Sequence, residues 1–72
     1  MGRNQDLNDQ FGKKLAYIRK KRNLSQMQLA EIIDKNFNYI SRTECGKANI
    51  TMNMIRILAD ALDVDAKELF EF

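Results

Sequence analysis

Residues 25–47 constrain the fold more than any other part of the chain, because they predict two short helices joined by a sharp corner. Ser25 and Gln28 form a capping-box pattern, in which a hydroxyl at a helix start and an amide three residues later each satisfy a free backbone donor. The first helix therefore begins after Ser25 and is about two turns long. Its apolar stripe is predicted to be Leu29, Ile32 and Ile33.

The corner between the two helices is predicted at Asp34–Asn36, where the apolar pattern breaks. Aspartate tolerates the left-handed backbone conformation that a sharp corner needs, and Asn36 is a favourable N-cap for the next helix. We expect that second helix over Phe37–Cys45, because Gly46 is the residue type found just past a helix C-terminus. Two short helices joined in this way form a motif whose second helix enters the major groove of DNA.

Helical spacing continues toward the N-terminus and predicts another helix there. It starts near Asn8 or Asp9, which are both good caps, and runs to Arg22. We expect residues 1–7 to form a disordered tail and residues 8–72 to form one folded domain. The buried stripe of this N-terminal helix is predicted to be Phe11, Leu15 and Ile18.

Two further helices are predicted after residue 50. Thr51 caps a helix that runs to about Leu62, and Asp65 with Glu68 resembles a capping box for a short final helix. With 44% apolar residues, no proline and helical spacing throughout, the chain is expected to be an all-α domain of five short helices. The inward face of the fourth helix is predicted to be Met52, Ile55, Leu58, Ala59 and Leu62.

The net charge of +2 divides unevenly along the chain. Residues 1–23 carry seven basic and two acidic side chains, whereas residues 51–72 carry two basic and five acidic ones. The uneven division predicts a molecule with a basic front and an acidic back. Such a molecule would attract a polyanion at one end and repel it at the other.

The composition also limits the class of protein. No apolar run approaches the ~20 residues that a membrane span needs, so we expect no membrane association. One cysteine and no histidine give no basis for a metal or a cofactor, and favour a protein of the reducing cytoplasm. With no histidine, no phosphate-binding glycine loop and no evident pair of carboxylates in a cleft, we expect no enzymatic activity.

The chain resembles the lambda-repressor-like (XRE or Cro-type) helix-turn-helix domains over roughly residues 11–70. The residues that carry the resemblance are Arg19, Leu24-Ser25-Gln26, Leu29-Ala30-Glu31, Tyr39-Ile40-Ser41, Glu44 with Gly46, Ile50 and Leu58-Ala59-Asp60-Ala61-Leu62. The Tyr39-Ile40-Ser41 step is also similar to the controller proteins of restriction–modification systems. The resemblance implies a five-helix fold and a dimeric, DNA-binding transcription regulator that places helix 3 in the major groove.

The outer face of helix 3 provides the candidate base contacts. At about 100° per residue, Asn38 and Arg42 fall opposite Ile40, which is set inward. Asparagine pairs with adenine and arginine with guanine, and each such contact supplies ~1–3 kcal/mol of discrimination. Ser41 either touches DNA or packs against helix 2. Phe37 has two interpretations: it fills volume in the core, or it contacts a thymine methyl group, as the resemblance implies.

A second set of residues is expected to contact phosphates. Gln26 lies at the start of helix 2, where free backbone amides and the helix dipole hold phosphates, and the resemblance implies the same contact. The resemblance also implies a phosphate contact at Lys47. Lys35 stands where the family usually buries an apolar side chain, so its amine is expected to bend toward solvent or DNA. The full set of expected phosphate contacts is Gln26, Lys35, Asn36, Tyr39 and Lys47.

The resemblance further implies a partly buried ion pair between Arg19 and Glu44. Both residues lie near the apolar faces of their helices, so the pair would tie helix 1 to helix 3. Removal of one partner would leave the other without a counter-charge.

A second apolar stripe on helix 4 predicts a contact surface. Met54, Ile57 and Ala61 recur at helical spacing, and Phe72 adds a further apolar side chain. We expect a symmetric dimer through helix 4 and the C-terminal helix, with two recognition helices about 34 Å apart.

Two other functions remain open from the sequence. A helical protein-interaction module would use the apolar stripes for a partner chain, and an antitoxin would bind both DNA and a toxin. Salt dependence separates the possibilities, because DNA binding through several phosphates weakens steeply as salt rises.

Overall fold

The computed structural model describes residues 3–72, with side chains described from Leu7 onward. No strand occurs within residues 3–72, so the predicted all-α class is confirmed. The predicted fifth helix is a short 3-10 helix instead of an α-helix. In chain order the elements are α1 (Arg3–Lys21), α2 (Gln26–Ile32), α3 (Phe37–Glu44), α4 (Met52–Leu62) and the 3-10 helix (Ala66–Phe70).

Helix α1 begins at Arg3, ahead of the predicted start near Asn8 or Asp9. No glycine or proline, the two residues that disfavour a helix most, interrupts residues 3–11, so the helix is able to extend upstream. The predicted tail over residues 1–7 falls partly on Met1 and Gly2, which lie outside the described residues. The boundary between tail and domain at residue 8 stays a prediction.

The corner between α2 and α3 is formed by the predicted local interactions. The Gln28 backbone N–H donates to Ser25 Oγ at 3.0 Å, and the Ser25 backbone N–H donates to Gln28 Oε1 at 2.8 Å. Asn36 Oδ1 accepts from the Tyr39 backbone N–H at 3.0 Å and caps α3. Asp34 adopts a left-handed backbone with φ of 59°. The capping box, the corner and the N-cap are therefore confirmed.

The apolar core receives side chains from every element. Helix α1 buries the predicted stripe, and the 3-10 helix contributes the fully buried Leu69. Phe11 and Phe70 pack with ring centroids 5.2 Å apart, which fixes the C-terminal segment against α1. The largest fully buried side chains are Leu15, Leu29, Ile40, Leu58, Leu62 and Leu69.

Two residues predicted to face the core are exposed instead. Ile32 is 54% exposed and Met52 is 84% exposed. Both lie at helix ends: Ile32 is the last residue of α2 and Met52 is the first residue of α4. Ala30 and Met54 are buried in the same two elements. The regular spacing of apolar residues predicted that the core contact reaches the ends of both helices. In the structure the side chains at these two ends meet solvent.

Helix α1 crosses α3 at close backbone distance through Gly12. A Cβ atom at Gly12 would lie 2.5 Å from the backbone carbonyl oxygens of both Thr43 and Glu44. Real Cβ atoms essentially never approach that closely, so glycine is required for this crossing. The crossing holds α1 against the side of α3 that lies away from the exposed Asn38 and Arg42.

The predicted acidic region is present, because Asp60, Asp63, Asp65 and Glu68 line one groove, but it is not separated from the basic residues of α1. The acidic C-terminal segment folds back onto α1, so Lys14 and Lys21 line the same groove as Glu68. Charges that are far apart in sequence are neighbours in space, because the 3-10 helix packs on α1.

None of the helices in the described part of the chain is both long enough and apolar enough to cross a membrane.

Candidate nucleic-acid interface

Helix α3 exposes one face and buries the other. Asn38 and Arg42 are exposed, as the angular spacing predicted. Ile40 is fully buried and Thr43 is almost fully buried. Thr43 Oγ1 donates to the Tyr39 carbonyl oxygen at 2.7 Å, which satisfies the hydroxyl inside the protein. The helix therefore presents its polar side chains outward from a face that is anchored in the core.

Phe37 lies at the start of α3 and is 45% exposed. The alternative in which the ring fills core volume is wrong for this structure, because nearly half of the side chain meets solvent. Ser41 is half-buried, between the exposed and the buried face. The role of either residue in contacting a base stays a prediction.

The guanidinium of Arg42 has a defined partner at the end of the helix. Arg42 Nη2 donates to the Lys47 carbonyl oxygen at 2.8 Å. An arginine carries five N–H donors, so the remaining donors are free for a base edge. The contact ties the Arg42 side chain to the backbone just past the end of α3, where the Lys47 side chain is exposed. The sequence did not predict this hydrogen bond, because a side-chain contact to a loop carbonyl has no compositional signal.

The ion pair expected between Arg19 and Glu44 is present and nearly buried. Arg19 Nε donates to Glu44 Oε2 at 2.6 Å, and Nη2 donates to Oε1 at 3.2 Å. The side chains are 9% and 6% exposed, respectively. Arg19 Nη1 also donates to the Leu24 carbonyl oxygen at 2.7 Å. The arginine therefore joins α1, the segment before α2 and the end of α3.

Gln26 is a third member of this network. Its Nε2 donates to Glu44 Oε1 at 2.8 Å, so the carboxylate accepts from two helices at once. An amide nitrogen carries two hydrogens, which leaves one donor for a phosphate. Gln26 is half-buried at the start of α2, where backbone N–H groups are also free. Sequence reasoning missed the bond to Glu44, since local spacing does not reveal a partner eighteen residues away.

The side chains around the α2–α3 corner form a further polar part of the candidate interface. Lys35 is exposed, as predicted, and its Nζ lies 5.6 Å from the centroid of the Tyr39 ring. Burial raises the pKa of Tyr39 above its ordinary value, and a hydrogen bond involving Thr43 offsets this only in part. The Tyr39 hydroxyl therefore stays protonated near pH 7 and is able to donate. Asn36 uses its side-chain oxygen as the cap of α3, and its amide nitrogen remains a donor.

The four residues predicted to form a dimer surface do not lie together. Met54 is buried in the core at 9% exposure. Ile57 and Ala61 are half-buried and line a groove between α2 and α4 with Ile32. Phe72 lines a different groove, against α1. The stripe pattern failed here because the inward face of α4 includes Met54, and because the chain end turns toward α1.

A family model for helix-turn-helix proteins, HTH_3, matches residues 15–69. The chain belongs to the HTH_3 helix-turn-helix family. The matched range contains the corner, the exposed face of α3 and the buried ion pair. The prediction of a DNA-binding transcriptional regulator of the XRE-like type is thereby confirmed.

Several proteins with similar sequences or structures carry names of regulators. Control protein C.BamHI of Bacillus amyloliquefaciens is 40% identical over 63 residues, which cover 86% of this chain and 78% of the relative. Control protein C.MunI of Mycoplasma sp is 36% identical over 66 residues, or 90% of this chain and 89% of the relative. The crystal structure of the restriction–modification controller protein C.AhdI from Aeromonas hydrophila superposes with a TM-score of 0.90 at 32% identity, covering 94% of this chain and 99% of that one. The resemblance to controller proteins is therefore confirmed.

Proposed function

We propose that this chain is a sequence-specific regulator that binds an operator as a symmetric dimer and controls genes of a restriction–modification system. The observation that carries the proposal is the exposed face of α3, with Asn38 and Arg42 directed outward and Ile40 sealed beneath them. A helix held in this way is able to enter a major groove without unfolding any part of its own core. The similarity to C.AhdI, a restriction–modification controller protein, supports the restriction–modification context.

In this proposal one set of residues contacts bases and another set contacts phosphates. Asn38 and Arg42 read bases, and Phe37 with Ser41 contributes apolar and hydroxyl contacts. Phosphates on one side are held at the start of α2, and phosphates on the other side are held past the end of α3. The proposed phosphate contacts are Gln26, Lys35, Asn36, Tyr39 and Lys47.

The salt dependence of binding tests the phosphate contacts. We would titrate a duplex from upstream of the protein's own gene at several salt concentrations, and plot the logarithm of the affinity against that of salt. The slope is expected to be about −0.9 for each phosphate neutralised. Lys47→Ala should make it shallower by about one. Arg56→Ala is the control, because Arg56 is exposed on α4 and its Nη2 donates to Asn53 of the same helix. A flat salt dependence, or equal slopes for the three proteins, would contradict the assignment.

The groove between α2 and α4 is the proposed dimer surface. It is lined by the exposed Ile32 and by the half-buried Ile57 and Ala61, which form an apolar patch on a small monomer. A symmetric dimer that binds two half-sites one helical turn apart needs its two recognition helices on one side of the duplex, about 34 Å apart. The Phe72 side chain, which lines a separate groove, is not needed for this contact.

Sedimentation of Ile57→Asp tests the dimer surface. A buried carboxylate in the interface should shift the protein from dimer to monomer at micromolar concentration, because burial of an unpaired charge is costly. Met52→Asp introduces the same charge on the same helix at a position that is 84% exposed, so it should remain dimeric. A dimer that persists in Ile57→Asp, or that is lost equally in both variants, would place the interface elsewhere.

We propose that the chain acts in the cytoplasm as a regulator and not as an enzyme, as its membership of the HTH_3 family supports. The names of the related control proteins give no support to the antitoxin alternative, so no toxin partner is proposed.

A further inference from the structure

Helix α1 has a second face that the DNA interface does not use. Gly12 and Arg19 contact α3, so they mark the side of α1 that supports the recognition helix. At about 100° per residue, Lys14, Tyr17 and Lys21 lie roughly 180° around the helix from them. Residues on that side point away from α3. They therefore remain accessible when α3 lies in a DNA groove.

The side of α1 away from α3 carries exposed aromatic rings. Tyr17 is 55% exposed and Phe72 is 54% exposed, and the two side chains line one shallow groove with Lys13 and Lys14. A neighbouring groove shares Lys14 and Tyr17 and continues toward the end of α1. The two grooves form one continuous surface. We call it the α1 outer surface, consisting of Lys13, Lys14, Tyr17, Lys21, Arg22 and Phe72.

Cations surround the apolar part of the α1 outer surface. The Nζ atoms of Lys14 and Lys21 lie 5.4 and 5.3 Å from the centroid of the Tyr17 ring. Each lysine is about one helical turn from Tyr17, one before it and one after it. The surface carries four cationic side chains, against the two carboxylates Glu68 and Glu71 that border it. A ligand that fits this pattern presents carboxylates toward the lysines and apolar groups toward the rings.

A protein segment satisfies this pattern better than a nucleic acid does. The two glutamates at the border would repel a continuous phosphate backbone. The carboxylates of a peptide are separate groups, so they can lie beside the lysines and away from the two glutamates. Exposed aromatic side chains also offer contact area to the apolar face of an amphipathic helix.

We propose that the α1 outer surface binds an acidic amphipathic segment of a second protein while α3 is free to occupy DNA. This inference goes beyond the proposed function and does not depend on it. The regulator then has two independent surfaces, one for an operator and one for a protein partner.

A peptide titration tests the proposal. The probe is a fluorescein-labelled amphipathic peptide of alternating Glu-rich and Leu/Phe-rich turns, and its control has lysine in place of every glutamate. We expect saturable binding of the acidic peptide and none of the basic one. Lys14→Glu/Lys21→Glu and Tyr17→Ala should each weaken binding about tenfold or more. Arg56→Glu reverses an exposed charge on α4, away from the surface, and should bind like the parent protein.

Three further measurements separate this proposal from its rivals. Amide chemical-shift changes on peptide addition should map to α1 and the C-terminal segment; changes confined to α3 would overturn the proposal. Equal binding by the parent protein and by Lys14→Glu/Lys21→Glu would overturn it as well. The affinity for a random duplex is the second measurement: if Lys14→Glu/Lys21→Glu loses affinity for the duplex but not for the peptide, the surface binds nucleic acid. The oligomeric state is the third: if Tyr17→Asp converts a dimer to a monomer, the occupant is a second copy of this chain. Either result contradicts the proposal. The peptide titration is done without DNA, so a failure of operator binding does not affect its outcome.

Discussion

The carboxylate of Glu44 is the most informative single position for the stability of this domain. It accepts from Arg19 Nε at 2.6 Å, from Arg19 Nη2 at 3.2 Å and from Gln26 Nε2 at 2.8 Å. Glu44→Gln keeps the size of the side chain but removes its charge. The variant would leave the guanidinium of Arg19, a residue only 7% exposed, without a counter-charge inside the protein.

The expected loss follows from the burial of the pair. Removal of one partner of a buried ion pair costs about 3–5 kcal/mol, because the other charge remains desolvated. A domain of this length has a total stability of about 4–11 kcal/mol. We therefore expect Glu44→Gln to lose a large share of the free energy of unfolding. For a domain of this size, a loss of 3 kcal/mol lowers Tm by at least about 12 °C.

Urea denaturation and a thermal melt, both followed by circular dichroism, measure the effect. Glu31→Gln is the matched control, since Glu31 is exposed on α2 and the same chemical change there should stay within about 0.5 kcal/mol. If Glu44→Gln unfolds at the same urea concentration and temperature as the parent, the pair does not hold α1 against α3 and the reasoning fails.

Three other substitutions test the local geometry. Gly12→Ala should destabilise the domain by about 1–3 kcal/mol in urea denaturation, because the added methyl group meets two backbone carbonyl oxygens at 2.5 Å. Gln10→Ala on the exposed side of α1 is the control. Equal stability of the two variants would contradict the close crossing. Ser25→Ala should cost about 0.5–2 kcal/mol in the same assay by removing the cap of α2, and an unchanged midpoint would mean that the cap is not needed. Asp34→Gly should be neutral or raise Tm, because glycine adopts the φ of 59° without the cost that a side chain adds; a clear fall in Tm would show that the aspartate side chain stabilises the corner.

The sequence predicted the parts of this structure that depend on neighbouring residues. The capping box at Ser25, the cap at Asn36 and the left-handed corner at Asp34 each involve residues at most four positions apart. Their chemistry is local, so composition and spacing are sufficient to find them. The exposed face of α3 was also predictable, because a single inward residue, Ile40, fixes the rotation of a short helix.

The features that the sequence did not predict depend on how the elements pack. Ile32 and Met52 fit an apolar stripe but lie at helix ends, beyond the reach of the core. The bond from Gln26 to Glu44 joins the start of one helix to the end of another. The mixing of acidic and basic charge arises because the C-terminal segment folds onto α1, which no local pattern records. Tertiary packing also placed Phe72 away from Ile57, so one predicted surface became two.

The proposed function requires that the exposed face of α3 reads the sequence of a DNA duplex. The most direct test compares the affinity of the protein for the duplex upstream of its own gene with its affinity for a scrambled duplex of equal length and composition, at one salt concentration. Asn38→Ala/Arg42→Ala is expected to lose about 2–6 kcal/mol of this preference, as two base contacts imply. Asn53→Ala/Arg56→Ala on α4 should keep the preference of the parent protein. If the parent shows a preference and Asn38→Ala/Arg42→Ala retains it in full, α3 does not read the bases.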